Sequence, residues 1–514
     1  MRYLFPLVLL LSCLLTLLPG CEPKENLVQT SGSLEFKSEF RTDTVLFDTV
    51  FTTIKTVTKR LWVYNRNRGA VKTDISLAGA PGAPFSVIIN GDARPSVQDV
   101  TIRGRDSLLV LVRAVLGDNG LATAAKQFLV TDDLRFRTNG NEQTVKLVAY
   151  GQNAYFHRGE IIRNNTTWRT DKPHVIINSS TASGVVVAQN VTLRIPKGAR
   201  IYLHAGAYLQ VNGTLLVNDQ SEPNAFAPTD TVKATNANIV RFQGDRLEPY
   251  YAEIPGQWGG IAFTGTSRDN RIRYAEIKNA TFGALVLSAD DPAARRPDLT
   301  VENTIIRNIS GSNVSFANAN ASTGAGIMSF SGTVTARNCL FTNCGEFAVL
   351  GVGGGVYNFN FCTFANFTPS FRRETASLTF TNEDAANPQV KRPLTLNLHN
   401  SIVWGSLEDE LFVKNHPDYL ALSIRNSLLR TKEYATTPAV IGAAGVNLLN
   451  TEPLFKRNSF TNPDYTLQDN SPATAPRRPV FGTLLARDLR NLPRLTNAPS
   501  LGATPSLGAY EHNK

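Results

Sequence analysis

Six segments of this chain can be laid on one another so that five columns agree. The reference column is Tyr274, Asn303, Asn338, Phe361, Asn400 and Asn426. Two residues earlier stand Ile272, Val301, Ala336, Phe359, Leu398 and Ile424, all apolar. One residue earlier stand Arg273, Glu302, Arg337, Asn360, His399 and Arg425, all polar. One residue later come Ala275, Thr304, Cys339, Cys362, Ser401 and Ser427, all small, and three later come Ile277, Ile306, Phe341, Phe364, Val403 and Leu429, all bulky. Five later come Asn279, Asn308, Asn343, Asn366, Gly405 and Thr431. Alternation within each row is the mark of a strand, whose successive side chains point to opposite faces. Agreement between rows follows if each segment is one coil of a solenoid, stacked on the next at ~4.8 Å.

The reference residues are 29, 35, 23, 39 and 26 residues apart. An antiparallel sandwich would not need so irregular a period to keep its columns. The shortest interval suits one bare coil, and the longer ones carry insertions that leave as loops. Cys339 and Cys362 share the small-residue column, where cysteine serves as a small apolar filler. A disulfide between neighbouring coils and a metal site are the two other readings of this pair, although no Cys-x-x-Cys and no histidine at ligand spacing accompanies them. Cys344 falls in an interior column with Ala280, Ile309 and Phe367.

VTLRIPKGARIYLHAGAYLQVNGTLLV (Val191–Val217), QWGGIAF (Gln257–Phe263) and the Ile-x-Asn phrases beyond resemble the right-handed parallel β-helix proteins, the pectate-lyase-like superfamily. Before them, SLEFKSE, DTVLFDTVFTT, KRLWVYNRN, DISLAG, FSVIING, SLLVLVRAV, DLRFRT and TVKLVAYG arrive at the intervals of a β-sandwich. FDTVFTT with RLWVYNRNRG resembles immunoglobulin-like modules of secreted bacterial proteins. The expected fold is therefore all-β: a small sandwich over residues 31–153, then a right-handed parallel β-helix over 154–446. The tail, 447–514, contains DYTLQDNSPA and GAYE and resembles the C-terminal segment of secreted β-helix proteins; it is expected to cap the last coil, because an open strand edge invites aggregation.

At the N-terminus, Arg2, the apolar run LFPLVLLLSCLLTLL and then LPGC describe an export signal rather than a spanning helix. The pattern resembles a bacterial lipoprotein signal, with a signal peptide over 1–20, lipidation at Cys21 and a tether over 21–30. It implies a lipid-anchored envelope protein, placed at the outer membrane. The formal charge is +10, yet Lys and Arg are scattered with no basic run, which argues against a nucleic-acid partner.

Chemistry is less legible. The resemblance implies that an enzyme of this kind would hold calcium on Asp or Glu and use an Arg or Lys as base, the calcium neutralising a uronate while the base removes the adjacent proton. The outward column offers Arg273, Arg337 and His399 as catalytic candidates. Arg273, Glu302 and Arg337 are equally ligand-binding candidates, or a solvated strip of alternating sign that steadies stacked coils. Trp258 either stacks on a sugar or seals a joint between coils. Asp290, Asp291 and Asp298 are the calcium candidates, in a segment that also reads as a polar turn. Glu408, Asp409 and Glu410 read as a solvated acidic cluster, and His157, His174, His204 and His416 are scattered. The leading expectation is polysaccharide binding on the β-helix surface. A polysaccharide lyase or glycoside hydrolase on the same face is the alternative, and a purely structural envelope role is the third.

Overall fold

The computed structural model describes residues 33–512 apart from 40, 42, 53–55, 80–82, 118–127, 181, 220–237, 289–294, 311–323, 369–372, 460–461, 475–479 and 495–503. The expected export signal, Cys21, Asp290 and Asp291 lie outside the described residues. The chain divides into two compact units, Met1–Asn153 and Ala154–Lys514.

The first unit packs two sheets face to face. One is ordered Glu35–Lys37, Lys59–Tyr64, Ser107–Ala114, Phe85–Ile89, and the other Thr44–Phe51, Asn141–Gln152, Phe128–Thr138, Val71–Leu77, Ser96–Ile102. Leu61, Val63, Val110, Val112, Ile75, Phe136 and Leu147 alternate inward and make its core. All pairs are antiparallel except Thr44–Phe51 with Asn141–Gln152. Ser96–Ile102 escaped the sequence reading because it is an edge strand with little alternation and an Asp99 at φ 54°.

The second unit is a parallel β-helix. Three sheets run its length, each strand pairing in parallel with the matching strand of the next coil. The first sheet runs from Tyr155–Arg158 to Leu448–Leu449, the second from Ile161–Ile162 to Leu411–Lys414, and the third from Thr166–Thr167 to Ala421–Arg425. The sequence columns are its registers. On the third sheet Ile272, Val301, Ala336, Phe359, Leu398 and Ile424 pair in succession, all pointing inward. On the first sheet Ile277, Ile306, Phe341, Phe364, Val403 and Leu429 do the same.

The reference column is the corner between these two sheets. All six of its residues have positive φ, from 42° at Tyr274 to 53° at Phe361. Asparagine tolerates this left-handed conformation, which explains four of the six. Stacking the corners also stacks their amides. Asn338 donates to Asn303 at 3.1 Å and Asn426 to Asn400 at 2.8 Å, while one corner further on Asn343 donates to Asn308 at 2.8 Å. These amides hydrogen-bond one another from coil to coil.

Cys339, Cys344 and Cys362 are free and fully buried. Cys339 donates to the carbonyl of Val301 and Cys362 to that of Ala336, both at 3.4 Å, so the pair fills its column without a bond. Burial pushes the Cys344 thiol up to about 12 and the Cys339 thiol well up, which keeps them protonated and unreactive.

The two histidines at the start of the β-helix, far apart in the sequence reading, meet inside it. Register pairs Tyr155 with His174 and His174 with the inward Ile201. His174 stacks on Trp168 at 4.4 Å and on His157 at 5.1 Å. A hydrogen-bonded chain runs from Glu160 to His157 Nδ1, from His157 Nε2 to His174 Nδ1 (2.8 Å), and from His174 Nε2 to the carbonyl of Arg169 (2.7 Å). Burial lowers His174 to about 4. Because the folded value lies below the unfolded one, the unfolded chain takes up this proton first as pH falls, and stability is lost between about pH 6.5 and 4. The share from this residue is about 3 kcal/mol. Denaturant unfolding of wild type and His174→Phe at pH 7 and pH 4.5 should show a steeper acid loss in wild type; equal losses would contradict the assignment.

The tail does not simply close the last coil. After Leu448–Leu449 completes the first sheet, the hairpin Phe455–Arg457 with Asp464–Leu467 folds back along that sheet's outer face. Phe455, Tyr465, Leu467, Leu489, Leu507 and Ala509 cover Leu340, Ala365, Ile402, Trp404 and Leu428. Thr342 donates to the hydroxyl of Tyr465 at 2.7 Å. Arg494, fully buried, lies 4.1 Å over the Phe361 ring, donates to Asn338 Oδ1 at 2.7 Å and pairs with buried Glu511 at 3.3 Å. Gly508–Glu511 is thus part of a lateral brace.

Candidate functional site

The outward column on the third sheet forms a chain of ion pairs. Arg273 is only 5% exposed and lies 3.1 Å from Glu302, whose other oxygen accepts from Arg337 at 2.9 Å. Arg273 also donates to the carbonyl of Asn218 at 3.2 Å. At the other end His399 bonds Ser423 at 3.0 Å and meets the Phe481 ring at 4.5 Å, with Arg425 over the same ring at 5.4 Å. Burial and Arg425 lower His399 to about 4, so it is neutral at pH 7. These candidates do not converge on one open point.

Trp258 is corrected outright as a sugar-stacking residue. It is fully buried, and its Nε1 donates to the carbonyl of Lys278 at 2.9 Å. Of the calcium candidates, Asp298 alone is described; it accepts from the Asp269 amide at 3.1 Å and from Arg295 at 3.0 Å, and Arg295 also holds Asp269 at 2.6 Å. This is an ion-paired turn. Trp404 is also covered, 8% exposed beneath the C-terminal segment.

An open cleft of about 520 Å³ lies on the outer side of the second sheet. Its walls include Phe347, Thr379, Leu411 and Phe412 from the strands, with Thr375, Ala376 and Leu407 from the connections that lead into them. Glu374, Glu408, Asp409 and Glu433 line the same space. The register explains the floor: Thr379 pairs with Phe412, both on the outward side.

The rim is set by a buried ion pair. Arg373 and Glu410 are both fully buried, 2.6 Å apart. Arg373 also donates to the carbonyl of Asn366 at 2.8 Å. Glu410 accepts from the Leu407 amide at 2.8 Å and the Ser377 hydroxyl at 2.5 Å. The pair clamps two successive connections, and so holds Glu374 beside Glu408 and Asp409. A third connection is tied on by Asp409, whose Oδ1 accepts from the Thr431 hydroxyl and the amides of Lys432 and Glu433 at 3.1, 2.7 and 2.8 Å. Lys432 pairs with Glu408 at 3.2 Å. Of the three acidic neighbours read as solvated, only Glu408 stands in solvent, and Glu410 is the most buried. Its partner is 37 residues away, with no local pattern to announce it.

No protein-family model matches this chain, and no curated protein does. Among solved structures it is similar to a family 123 glycoside hydrolase from Clostridium perfringens, described for glycolipid glycan hydrolysis, at 8% identity and a TM-score of 0.17. The match covers 25% of this chain and 30% of that one, so the chain spans less than a third of that structure's length. A likeness of that size carries no argument about fold or activity.

Proposed function

We propose that this is an exported envelope protein, lipid-anchored at Cys21 at the outer membrane, whose β-helix binds polysaccharide in the cleft on the second sheet. The observation that carries the reading is that two phenylalanines, Phe347 and Phe412, line one open cleft together with carboxylates. The C–H faces of a sugar pack on aromatic rings, and its hydroxyls donate to carboxylate oxygens. Four carboxylates around the cleft favour neutral or amino sugars and repel uronates. The lyase alternative drew on Arg273 or Arg337 as base, and both guanidiniums are engaged by Glu302.

The test is affinity electrophoresis of the soluble form that begins after Cys21, in gels carrying neutral, amino-sugar or uronic polysaccharides. Neutral or amino-sugar gels should retard the wild type, and Phe412→Ala or Glu433→Gln should weaken retention at least about tenfold. Retention untouched by both variants would remove the cleft from the account, release of reducing ends would move it to a hydrolase, and no retention in any gel would leave the structural role. In the full-length chain, palmitate labelling should vanish with Cys21→Ser.

A further inference from the structure

The two sheets of the sandwich present different outer faces. On the five-stranded sheet the outward charges are matched: Lys146 meets Asp133 at 2.8 Å, Arg137 meets Glu142 at 2.9 Å and Lys72 meets Asp99 at 3.7 Å. That is a solvated surface with its charges balanced across strands. The four-stranded sheet is different. Its Leu61 and Val63 point into the core, so Arg60, Trp62 and Tyr64 point out. Register sets Trp62 opposite Leu109, Arg60 opposite Leu111, and Leu111 in turn opposite Ile88. Trp62, Leu109, Leu111 and Ile88 therefore share one apolar patch across three strands, with Trp62 38% exposed.

The rim of this patch is cationic. Lys37 stands opposite Trp62 on the edge strand Glu35–Lys37, and Arg113 follows Leu111 on the same face of Ser107–Ala114. Glu35 is the only acidic outward residue of the four strands, and Arg66 holds it at 2.8 Å. Lys37, Arg60 and Arg113 are left without an ion pair among the described residues, and Arg113 donates only to the Thr58 hydroxyl at 2.7 Å. An indole among aliphatics, ringed by cations on long stems, has the chemistry of a membrane interface. Tryptophan sits at the headgroup level, while Lys and Arg lay their stems on apolar surface and carry charge to anionic lipid. The start of the chain adds proximity. Glu35 opens the edge strand of this sheet and follows Cys21 by 14 residues, at most ~50 Å of extended chain. That proximity rests on the proposed lipidation of Cys21, whereas the chemistry of the face does not. A second copy docked here by two-fold symmetry would bring the same unpaired cations together, and a neutral sugar chain would leave them unanswered.

We propose that the outer face of the four-stranded sheet lies on a membrane surface carrying anionic phospholipid. Trp62 enters the headgroup layer, and Lys37, Arg60 and Arg113 meet the phosphates. The face is on the sandwich, and it does not depend on the cleft.

The test uses the soluble form that begins after Cys21, which keeps both cores and carries no lipid of its own. The chain has four tryptophans, and Trp168, Trp258 and Trp404 are buried, so Trp62 is the one placed to report contact with a surface. Vesicles of phosphatidylcholine with about 30% phosphatidylglycerol should sediment with the wild type and shift its emission to the blue. Brominated lipid in the same vesicles should quench that emission, and about 0.5 M salt should release the protein. Trp62→Ser should weaken cosedimentation at least about tenfold and Arg60→Gln about fivefold. Arg135→Gln, an equal charge change on the outer face of the other sheet, should leave it unchanged. A chain that binds these vesicles yet takes no palmitate would lose the anchor and keep this face. Equal binding to pure phosphatidylcholine, no quenching by brominated lipid, or unchanged binding in Trp62→Ser would overturn the proposal. Without vesicle binding, retention in a polysaccharide gel that Trp62→Ser abolishes would give the face to a sugar chain, and a dimer in sedimentation velocity that Trp62→Ser dissolves would give it to a second copy.

Discussion

Phe341→Asp is expected to abolish the cooperative unfolding transition of the β-helix. Phe341 is fully buried, sits in register between Ile306 and Phe364, and stacks on the Phe364 ring at 4.9 Å. Truncating a buried phenylalanine costs about 3–5 kcal/mol by itself. An unpaired buried carboxylate adds a desolvation penalty of several kcal/mol more. Together these approach the whole stability of an ordinary domain, about 5–15 kcal/mol. The sandwich has a separate core, so part of the strand signal in circular dichroism should survive. Phe341→Leu, which keeps the column apolar, should fold. Wild-type circular dichroism and melting in Phe341→Asp would mean that the column alignment is wrong.

Glu410→Gln is expected to cost about 3–5 kcal/mol, because it leaves the fully buried Arg373 guanidinium without its counter-charge. Urea unfolding measures the loss directly. The double variant Arg373→Met with Glu410→Leu should recover most of the stability, since apolar replacement of a buried ion pair is often neutral or better. It should not recover the cleft, whose rim depends on the bonds that Glu410 makes to Leu407 and Ser377. A loss below about 1 kcal/mol in Glu410→Gln would show that the pair is not the clamp described.

The difference between these residues shows what a sequence can carry. Phe341 belongs to a pattern that repeats in six rows, so its inward position follows from alternation and stacking alone. The asparagine corners were visible as columns, and left-handed geometry with amide stacking is their physical cause. Residues whose environment comes from far along the chain gave no such signal. Arg273 reads as outward, yet Glu302 and the Asn218 carbonyl enclose it. Trp258 reads either as a sugar-stacking aromatic or as a seal between coils, and only its burial in the core decides for the second. The tail reads as a cap on the last coil, but its partners are earlier coils, as with Tyr465 and Thr342, 123 residues apart. The cleft draws on Phe347, Glu374, Phe412 and Glu433, one or more from each successive coil, so no short motif encodes it.

The most direct test of the central claim is hydrogen–deuterium exchange of the soluble form with and without a retained polysaccharide. Ligand should slow exchange in the peptides covering 374–379, 407–412 and 431–434, and leave the third-sheet strands Asp298–Glu302 and Thr333–Arg337 unchanged. Protection on those third-sheet strands with none at the cleft would contradict it.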